Sequence, residues 1–354
     1  EAFLGVDIGG GGIMVVEIRN DKLRARLSTF GFSEYAPEVI AASTPSPMSL
    51  GQDPRAIAET LRAICAQAKV ETKRAVTGLP IASVFSSIIT LPEMPKKELP
   101  AAVLWEAKKL VPMPVEEMIL DWKQLEEPAT PNASRASNVI RVLLTGAPKA
   151  LVQQYLAVFT AAGLELLSLE TEAFALIRSL VGNDPSVVCI LDIGSVRTSM
   201  VIVDNATPVF SRSVDIGGRH FTRAIADATG VPVTDAEQMK LDLAVLPTGG
   251  AAADVFPALL EQTLAPVIQE VRYGLNLYRS QEEHRGRIVE KIILAGGSSL
   301  LPSLVDVFSR TLEIRTFVGD PWARVIYPTD LRPALDALGP RFAVAVGLAM
   351  REVS

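Results

Sequence analysis

Two aspartates 185 residues apart each end a β-prone run and open the same tripeptide, in Phe3-Leu4-Gly5-Val6-Asp7-Ile8-Gly9 and in Cys189-Ile190-Leu191-Asp192-Ile193-Gly194. A few turn residues follow each, then a second β-rich run, Ile13–Ile18 in one case and Thr198–Asp204 in the other, so each copy reads as strand, tight turn, strand. Glycines at such a tip permit positive φ and let backbone N–H groups close on an anion. An aspartate ending the preceding strand would hold a hydrated Mg²⁺, which takes one or two carboxylates beside phosphate oxygens. Two such hairpins from opposite lobes could clamp one polyphosphate. A lone Asp-Ile-Gly reads more readily as a capped turn; its duplication at half-chain spacing greatly weakens that reading.

The run Gly9-Gly10-Gly11-Gly12 invites a dinucleotide-binding interpretation. That motif needs a helix after its turn, and here Val15-Val16-Glu17-Ile18 is β-prone and the third motif glycine is missing. No G-x-x-x-x-G-K-[ST] occurs, which excludes the P-loop class. A third element points to a nucleotide: the β run Lys291-Ile292-Ile293-Leu294, then Gly296-Gly297-Ser298-Ser299-Leu300-Leu301-Pro302, then an amphipathic helix through Leu312. Its glycines admit a flat ligand close to the backbone, and Pro302 suits a first helical turn.

The elements that must position these motifs come from a chain of 354 residues, 49% hydrophobic, 21% charged and 6% aromatic, long enough for two domains or one bilobed one with aliphatic cores. A net charge of −6 gives no field to attract nucleic acid. Two histidines, His220 and His284, supply no familiar zinc spacing. Two cysteines, Cys65 and Cys189, lie in apolar surroundings and favour a reducing compartment. The longest apolar stretches, Val187–Ile193 and Phe342–Met350, fall short of the ~18 residues that cross a bilayer, and the first residues carry no signal-peptide pattern. A cytoplasmic protein without direct membrane insertion is expected.

Asp7–Ile18, Leu191–Val203 and Ile293–Pro302 resemble the phosphate-1, phosphate-2 and adenosine motifs of the actin-like ATPase superfamily. Within it the chain most resembles the PilM family of type IV pilus assembly proteins. That choice rests on Leu91-Pro92-Glu93-Met94-Pro95-Lys96-Lys97-Glu98-Leu99, Leu104-Trp105-Glu106-Ala107, Val111-Pro112-Met113-Pro114 and Leu120-Asp121-Trp122. Further on, Ser211-Arg212, Asp215-Ile216-Gly217-Gly218, Thr222, Ala236-Glu237 and Lys240 match, and the final helix begins Phe342-Ala343-Val344-Ala345. The resemblance implies an α/β, two-lobed actin-like ATPase fold of duplicated ribonuclease H-like lobes, with an inserted 1C subdomain of the FtsA and PilM type. It divides the chain into a first lobe (1–81), the insertion (82–165), a connecting helix returning to lobe 1 (166–186), a second lobe (187–335) and a C-terminal helix on lobe 1 (336–354).

The same resemblance implies ATP and Mg²⁺ as ligands. Asp7 and Asp192 would hold the metal through water, and Gly9, Gly10, Gly11, Gly12, Gly194, Ser195, Val196 and Arg197 would wrap the phosphates. Gly217, Gly218, Glu237 and Lys240 would lie near the ribose, and Gly296, Gly297 and Ser298 near the adenosine. Glu172 falls where related ATPases orient the attacking water; a capping or solvated carboxylate at a helix start is the competing reading. The family's usual lysine after the first glycine tip is replaced here by Met14. Losing that cation weighs against hydrolysis more than against binding, because phosphoryl transfer needs charge neutralisation in its transition state.

The insertion reads as strand (Val84–Thr90), helix (Lys97–Leu110), two strands (Ile119–Leu125 and Val139–Gly146), helix (Ala150–Gly163) and strand (Leu166–Leu169), with Glu126–Asn138 as a hairpin loop. Trp105, on a helix with Val103, Leu104 and Leu110, is expected in a core, with a peptide pocket as the other reading. Thr248–Asp254 reads as a surface loop and Arg279–Arg287 as a solvated turn. In the PilM family the 1C groove receives the N-terminal cytoplasmic peptide of the inner-membrane protein PilN. The expected function is therefore an ATP-binding scaffold of the pilus assembly platform, peripheral to the inner membrane through a PilN-like partner. Pilus motor ATPases and a homo-oligomer stay open as further partners. The alternatives are a hydrolysing actin-like ATPase, a filament-forming FtsA-like protein and a GspL-like type II secretion component.

Overall fold

A computed structural model describes residues 1–22, 24–42, 53–125, 139–245, 251–281 and 286–353. The chain opens with three antiparallel strands, β1 (Ala2–Gly9), β2 (Gly12–Asp21) and β3 (Arg24–Glu34). Helices α1 (Pro37–Ala42) and α2 (Pro54–Gln67) lead to β4 (Arg74–Leu79), which runs parallel to β1. Asp53 caps α2, its carboxylate accepting the Arg55 N–H at 3.0 Å, and Pro54 fits the first turn. The helix buries Ile57, Ala58, Leu61 and Ile64 on one stripe.

A three-stranded sheet follows, from β5 (Phe85–Pro92), β6 (Met118–Gln124) and β7 (Val139–Pro148) in the order β5-β7-β6, with α3 (Leu99–Leu110) between its first two strands. Ile89, Leu91, Val142 and Leu144 of the sheet meet Leu99, Val103 and Ala107 of the helix in a core of their own. The buried stripe of α3 is Leu99, Val103 and Ala107, spaced four apart, and this turns Trp105 outward at 65% exposure, against the expectation of burial. The Lys109 ammonium lies 5.4 Å from its ring. Glu126–Asn138 lies outside the described residues.

Helix α4 (Lys149–Ala162) buries Leu151, Tyr155, Val158 and Phe159 beside α2, on the six-stranded sheet of the first lobe. The sequence expectation grouped it with the insertion; amphipathic spacing specifies a buried face but not which sheet it meets. Strand β8 (Glu165–Thr171) joins β4, and α5 (Glu172–Leu176) continues into a π turn over Ile177–Val181.

The second lobe repeats the first. Antiparallel β9 (Val188–Ile193), β10 (Thr198–Asp204) and β11 (Thr207–Val214) are followed by β12 (Lys291–Ala295) parallel to β9 and β13 (Arg315–Val318) parallel to β12. Helices α6 (Gly218–Thr229), α7 (Val233–Val245) and α8 (Ala251–Ser280) lie between β11 and β12, and α9 (Leu304–Leu312) between β12 and β13. Of the expected loop Thr248–Asp254, residues 251–254 begin α8 and the rest lies outside the described residues. Arg287, expected in a solvated turn, instead pairs with the buried Asp204 carboxylate at 2.7 Å, which the Tyr278 hydroxyl also reaches at 2.9 Å.

The chain then returns to the first lobe earlier than residue 336. Trp322 and Val325 enter the first-lobe core, and β14 (Val325–Ile326) pairs with β3, giving the sheet order β14-β3-β2-β1-β4-β8. Helices α10 (Arg332–Leu338) and α11 (Ala343–Ala349) close the fold. All seven residues of α11 are buried, and close approach explains two glycines. A Cβ on Gly5 of β1 would stand 2.0 Å from the Ala345 carbonyl oxygen, and one on Gly347 would stand 1.9 Å from that of Ala175. Helices α5 and α11 share one core with β4, β9, β10 and β12, so the two lobes meet on apolar side chains from both.

Candidate functional site

The duplicated hairpins face each other. Asp7 pairs across the first with Met14, and Asp192 across the second with Ser199, so the two strand ends occupy equivalent registers. The tips touch: a Cβ on Gly10 would lie 2.4 Å from Val196 Cγ2, and one on Gly11 would lie 2.0 Å from Ser195 Oγ. Glycine is thus required there by the opposite hairpin, a constraint separate from any anion. The second tip is braced by the Gly194 N–H donating to Arg197 O at 3.0 Å, and by the Gly218 and Arg219 N–H groups donating to Gly194 O and Ser195 O at 2.8 Å each.

Behind the tips lies a cavity of about 440 Å³ walled by both lobes. Asp7, Gly9, Gly10, Gly11, Gly12, Glu172, Asp192, Gly194, Ser195, Val196, Arg197, Gly218, Glu237, Lys240, Gly296, Gly297 and Ser298 all line it. Gly217 does not. It lies under the second tip, where a Cβ would meet Gly194 O at 2.5 Å.

Three carboxylates converge at one end. Burial raises the Asp7 carboxyl well above its ordinary range, with Glu172 and Asp192 adding repulsion. Burial, then Glu172, pushes Asp192 up to about 7. Burial raises Glu172 too, opposed by a hydrogen bond from the Ile81 N–H at 3.2 Å and by Arg197. Gly296, at φ +80°, is where the chain passes this group: a Cβ there would stand 2.6 Å from Asp192 Oδ1. Three like charges in one partly buried place call for a cation. Mg²⁺ takes one or two carboxylates and keeps several waters; among the described residues no three His, Cys, Asp or Glu side chains are grouped as a metal site.

At the other end, Lys240 and Glu237 on α7 pair at 2.7 Å, and both bond the Thr222 hydroxyl. Burial lowers the Lys240 pKa, and Glu237 opposes that. Sequence reasoning missed the mouth of the cavity, where Glu34 at the end of β3 pairs with Arg341, 307 residues later. Arg341 also stacks on Phe32 at 5.8 Å, and its neighbour Phe342 packs edge-on against Phe30 and Phe32. The buried Nε atoms of Arg197 and Arg341 have no partner among the described residues and belong to side chains that line the cavity, an observation that fits an anionic ligand. Met14 also lines it, an apolar side chain where the resemblance led us to expect a lysine.

The comparisons agree with this architecture. The structure of a PilM-PilN type IV pilus biogenesis complex is similar at a TM-score of 0.81 and 27% identity over 99% of this chain and 98% of that one. MreB5 of Spiroplasma citri bound to AMPPNP shares the fold at a TM-score of 0.55 and 12% identity, over 98% and 94% of the two chains. The cell division protein FtsA of Rhizobium meliloti (strain 1021) is 25% identical over 191 residues, 49% of this chain and 42% of that protein, so less than half of the division protein's length is spanned. The model of the family described as type IV pilus assembly protein PilM matches residues 5–353, and the chain therefore belongs to the PilM family, with an actin-like α/β fold.

Proposed function

We propose that the protein is a nucleotide-binding scaffold of a type IV pilus assembly platform, which takes ATP with Mg²⁺ in its cleft and the N-terminal cytoplasmic peptide of a PilN-like inner-membrane protein beside the three-stranded sheet. The partner reading rests on the full-length likeness to the PilM-PilN complex. The nucleotide reading rests on the cavity with three carboxylates at one end and unpartnered arginine nitrogens in its wall. In this reading residues 82–148 form the 1C subdomain, and contact with the inner-membrane surface is made through the partner. No helix of the described residues is long and apolar enough to cross a membrane.

Asp7 and Asp192 would hold the hydrated cation, whose chemistry is to neutralise phosphate charge. Backbone N–H groups of the first tip, Gly9 to Gly12, and of Ser195 to Arg197 in the second would bind phosphate oxygens, with the Gly194 N–H bracing the second tip, while Gly218, Glu237 and Lys240 would take the ribose and Gly296 to Ser298 the adenosine. Glu172 would orient water. With Met14 in place of a cation, binding outweighs turnover.

Calorimetric titration with Mg²⁺ and ATP, with phosphate release followed on the same samples, tests the cleft. Binding lost in Asp7→Ala and Asp192→Ala with negligible release is expected; no binding by the wild type would overturn it. Fluorescence polarisation with a labelled PilN-type N-terminal peptide tests the partner, and absence of saturable binding would overturn that half.

A further inference from the structure

Beside Asp7 the first hairpin carries Met14 and no cation, and the strand register shows what stands next in line. Residues directly opposite in an antiparallel ladder project from the same face of the sheet. Met14 is opposite Asp7 on β1 and opposite Phe32 on β3, so Asp7, Met14 and Phe32 form one row across three strands. Asp7 and Met14 both line the cavity. The row holds one carboxylate and no positive charge, and an anion bound beside it meets repulsion.

Arg341 stands at the far end of that row. Its guanidinium lies over the Phe32 ring at 5.8 Å and pairs with Glu34, which shares the Phe32 face of β3 by its i, i+2 spacing. From the second lobe, the Gly296 N–H donates to Pro340 O at 2.9 Å, and a Cβ on Gly297 would lie 3.8 Å from Arg341 Nε. The side chain is thus fixed between β3 and the glycine turn that also passes Asp192. It is 18% exposed and lines the cavity, and its buried Nε–H has no acceptor among the described residues. Phe32 and Glu34 account for where the guanidinium sits and leave this donor unused. A planar, permanently charged group with a donor to spare suits a phosphate oxygen.

We propose that Arg341 is the first lobe's phosphate-binding cation: from the turn before α11 it supplies the positive charge that β2 lacks at Met14, its Nε–H donating to a phosphate oxygen of the nucleotide. Glu34 and Phe32 hold it in place. The inference rests on the nucleotide-binding reading of the cleft, and accounts for binding without a cation on the first hairpin.

The test moves the charge. The full chain is titrated calorimetrically with ATP at saturating Mg²⁺ as wild type, Arg341→Gln and the double variant Arg341→Gln/Met14→Lys, with melting curves to establish that each is folded. Arg341→Gln is expected to raise the Kd for ATP about tenfold, the loss of one hydrogen bond to a charged group. Met14→Lys on that background returns a cation to the same row and is expected to bring the Kd within about threefold of wild type. A residue that only packs the cleft, or one that touches the base, would not be rescued by a charge on β2. An Arg341→Gln affinity within about twofold of wild type, or a double variant that stays more than about threefold weaker, would overturn the proposal and leave nucleotide binding intact. Should Arg341→Gln fail to fold, Arg341→Lys decides, because it keeps a charge beside Glu34 but not the Nε–H. Its ATP binding is expected to weaken about threefold or more, and an affinity within about twofold of wild type would overturn the proposal. A wild type that takes up no ATP would overturn the nucleotide reading itself, and this proposal with it.

Discussion

The carboxylate of Glu172 accepts the backbone N–H of Ile81 at 3.2 Å, joining the buried acidic end of the cavity to the turn that leads into β5 and the three-stranded sheet. Glu172 opens α5 and lies against Gly78 of β4, where a Cβ would stand 3.3 Å from its Cγ. Anything that pulls on the carboxylate pulls on the root of that sheet. Glu172→Ala should speed amide exchange at Ile81 and along β5 and reduce stability by about 1 kcal/mol. Glu172→Gln, which keeps an acceptor oxygen, should preserve protection. Exchange mass spectrometry checks both. If the relationship also carries ligand state, saturating Mg²⁺ and ATP will change the affinity for the partner peptide; equal affinities would mean the two sites are unlinked.

The acidic end makes the empty cleft sensitive to pH. Asp192 has its folded pKa raised from 3.8 to about 7, so the folded state holds its proton more tightly than the unfolded chain. The stability this group contributes is complete below about pH 4 and is lost as pH rises through about 7. Melting temperature without ligands should therefore fall between pH 5 and pH 8. Asp192→Asn should flatten that slope and raise the melting temperature at pH 7.5 by about 2–4 °C, while abolishing any response to Mg²⁺. Differential scanning calorimetry across pH provides the check.

The contact between hairpin tips invites a double-mutant cycle. A methyl added at position 10 would collide with Val196, so Gly10→Ala should destabilise by about 1–3 kcal/mol, typical of overpacking. Val196→Ala opens the space, and the pair together should recover most of the loss. Urea unfolding of the four proteins measures the coupling.

Two tryptophans in opposite environments give a control. Trp105 is 65% exposed and Trp322 is 1% exposed. Trp105→Ala should stay within about 0.5 kcal/mol of wild type, whereas Trp322→Ala should lose about 3–5 kcal/mol. Acrylamide should quench the emission of Trp105 and spare that of Trp322.

What could be read from the sequence, and what could not, divides along physical lines. Strand, turn and strand are local features, so the two Asp-Ile-Gly hairpins and the glycine turn before α9 were visible, as was the lobed α/β architecture they imply. Contacts between distant elements leave no local trace. Glu34 alternates like any exposed strand residue, and nothing near Arg341 announces that the two will meet. Trp105 misled because α3 carries apolar residues on two faces, and only the packed sheet distinguishes them. Gly217 belongs to a glycine pair whose members do different work, one supporting a tip and the other lining the cavity.

The placement of β14 and α11 bears on how the molecule is made. The five strands of the second lobe lie within residues 188–318, a continuous stretch that can assemble soon after it leaves the ribosome. The first lobe cannot finish so early. Its sheet waits for Val325 and Ile326 beside β3, and β1 keeps an apolar face uncovered until Ala345 and Ala349 settle over Gly5. The lobe that comes first along this sequence is thus completed by its last elements, and the face of its sheet that α11 covers stays open until they arrive. Ribosome-bound intermediates stalled before residue 325 should bind holdase chaperones through this lobe, and release of the last helix should end that interaction.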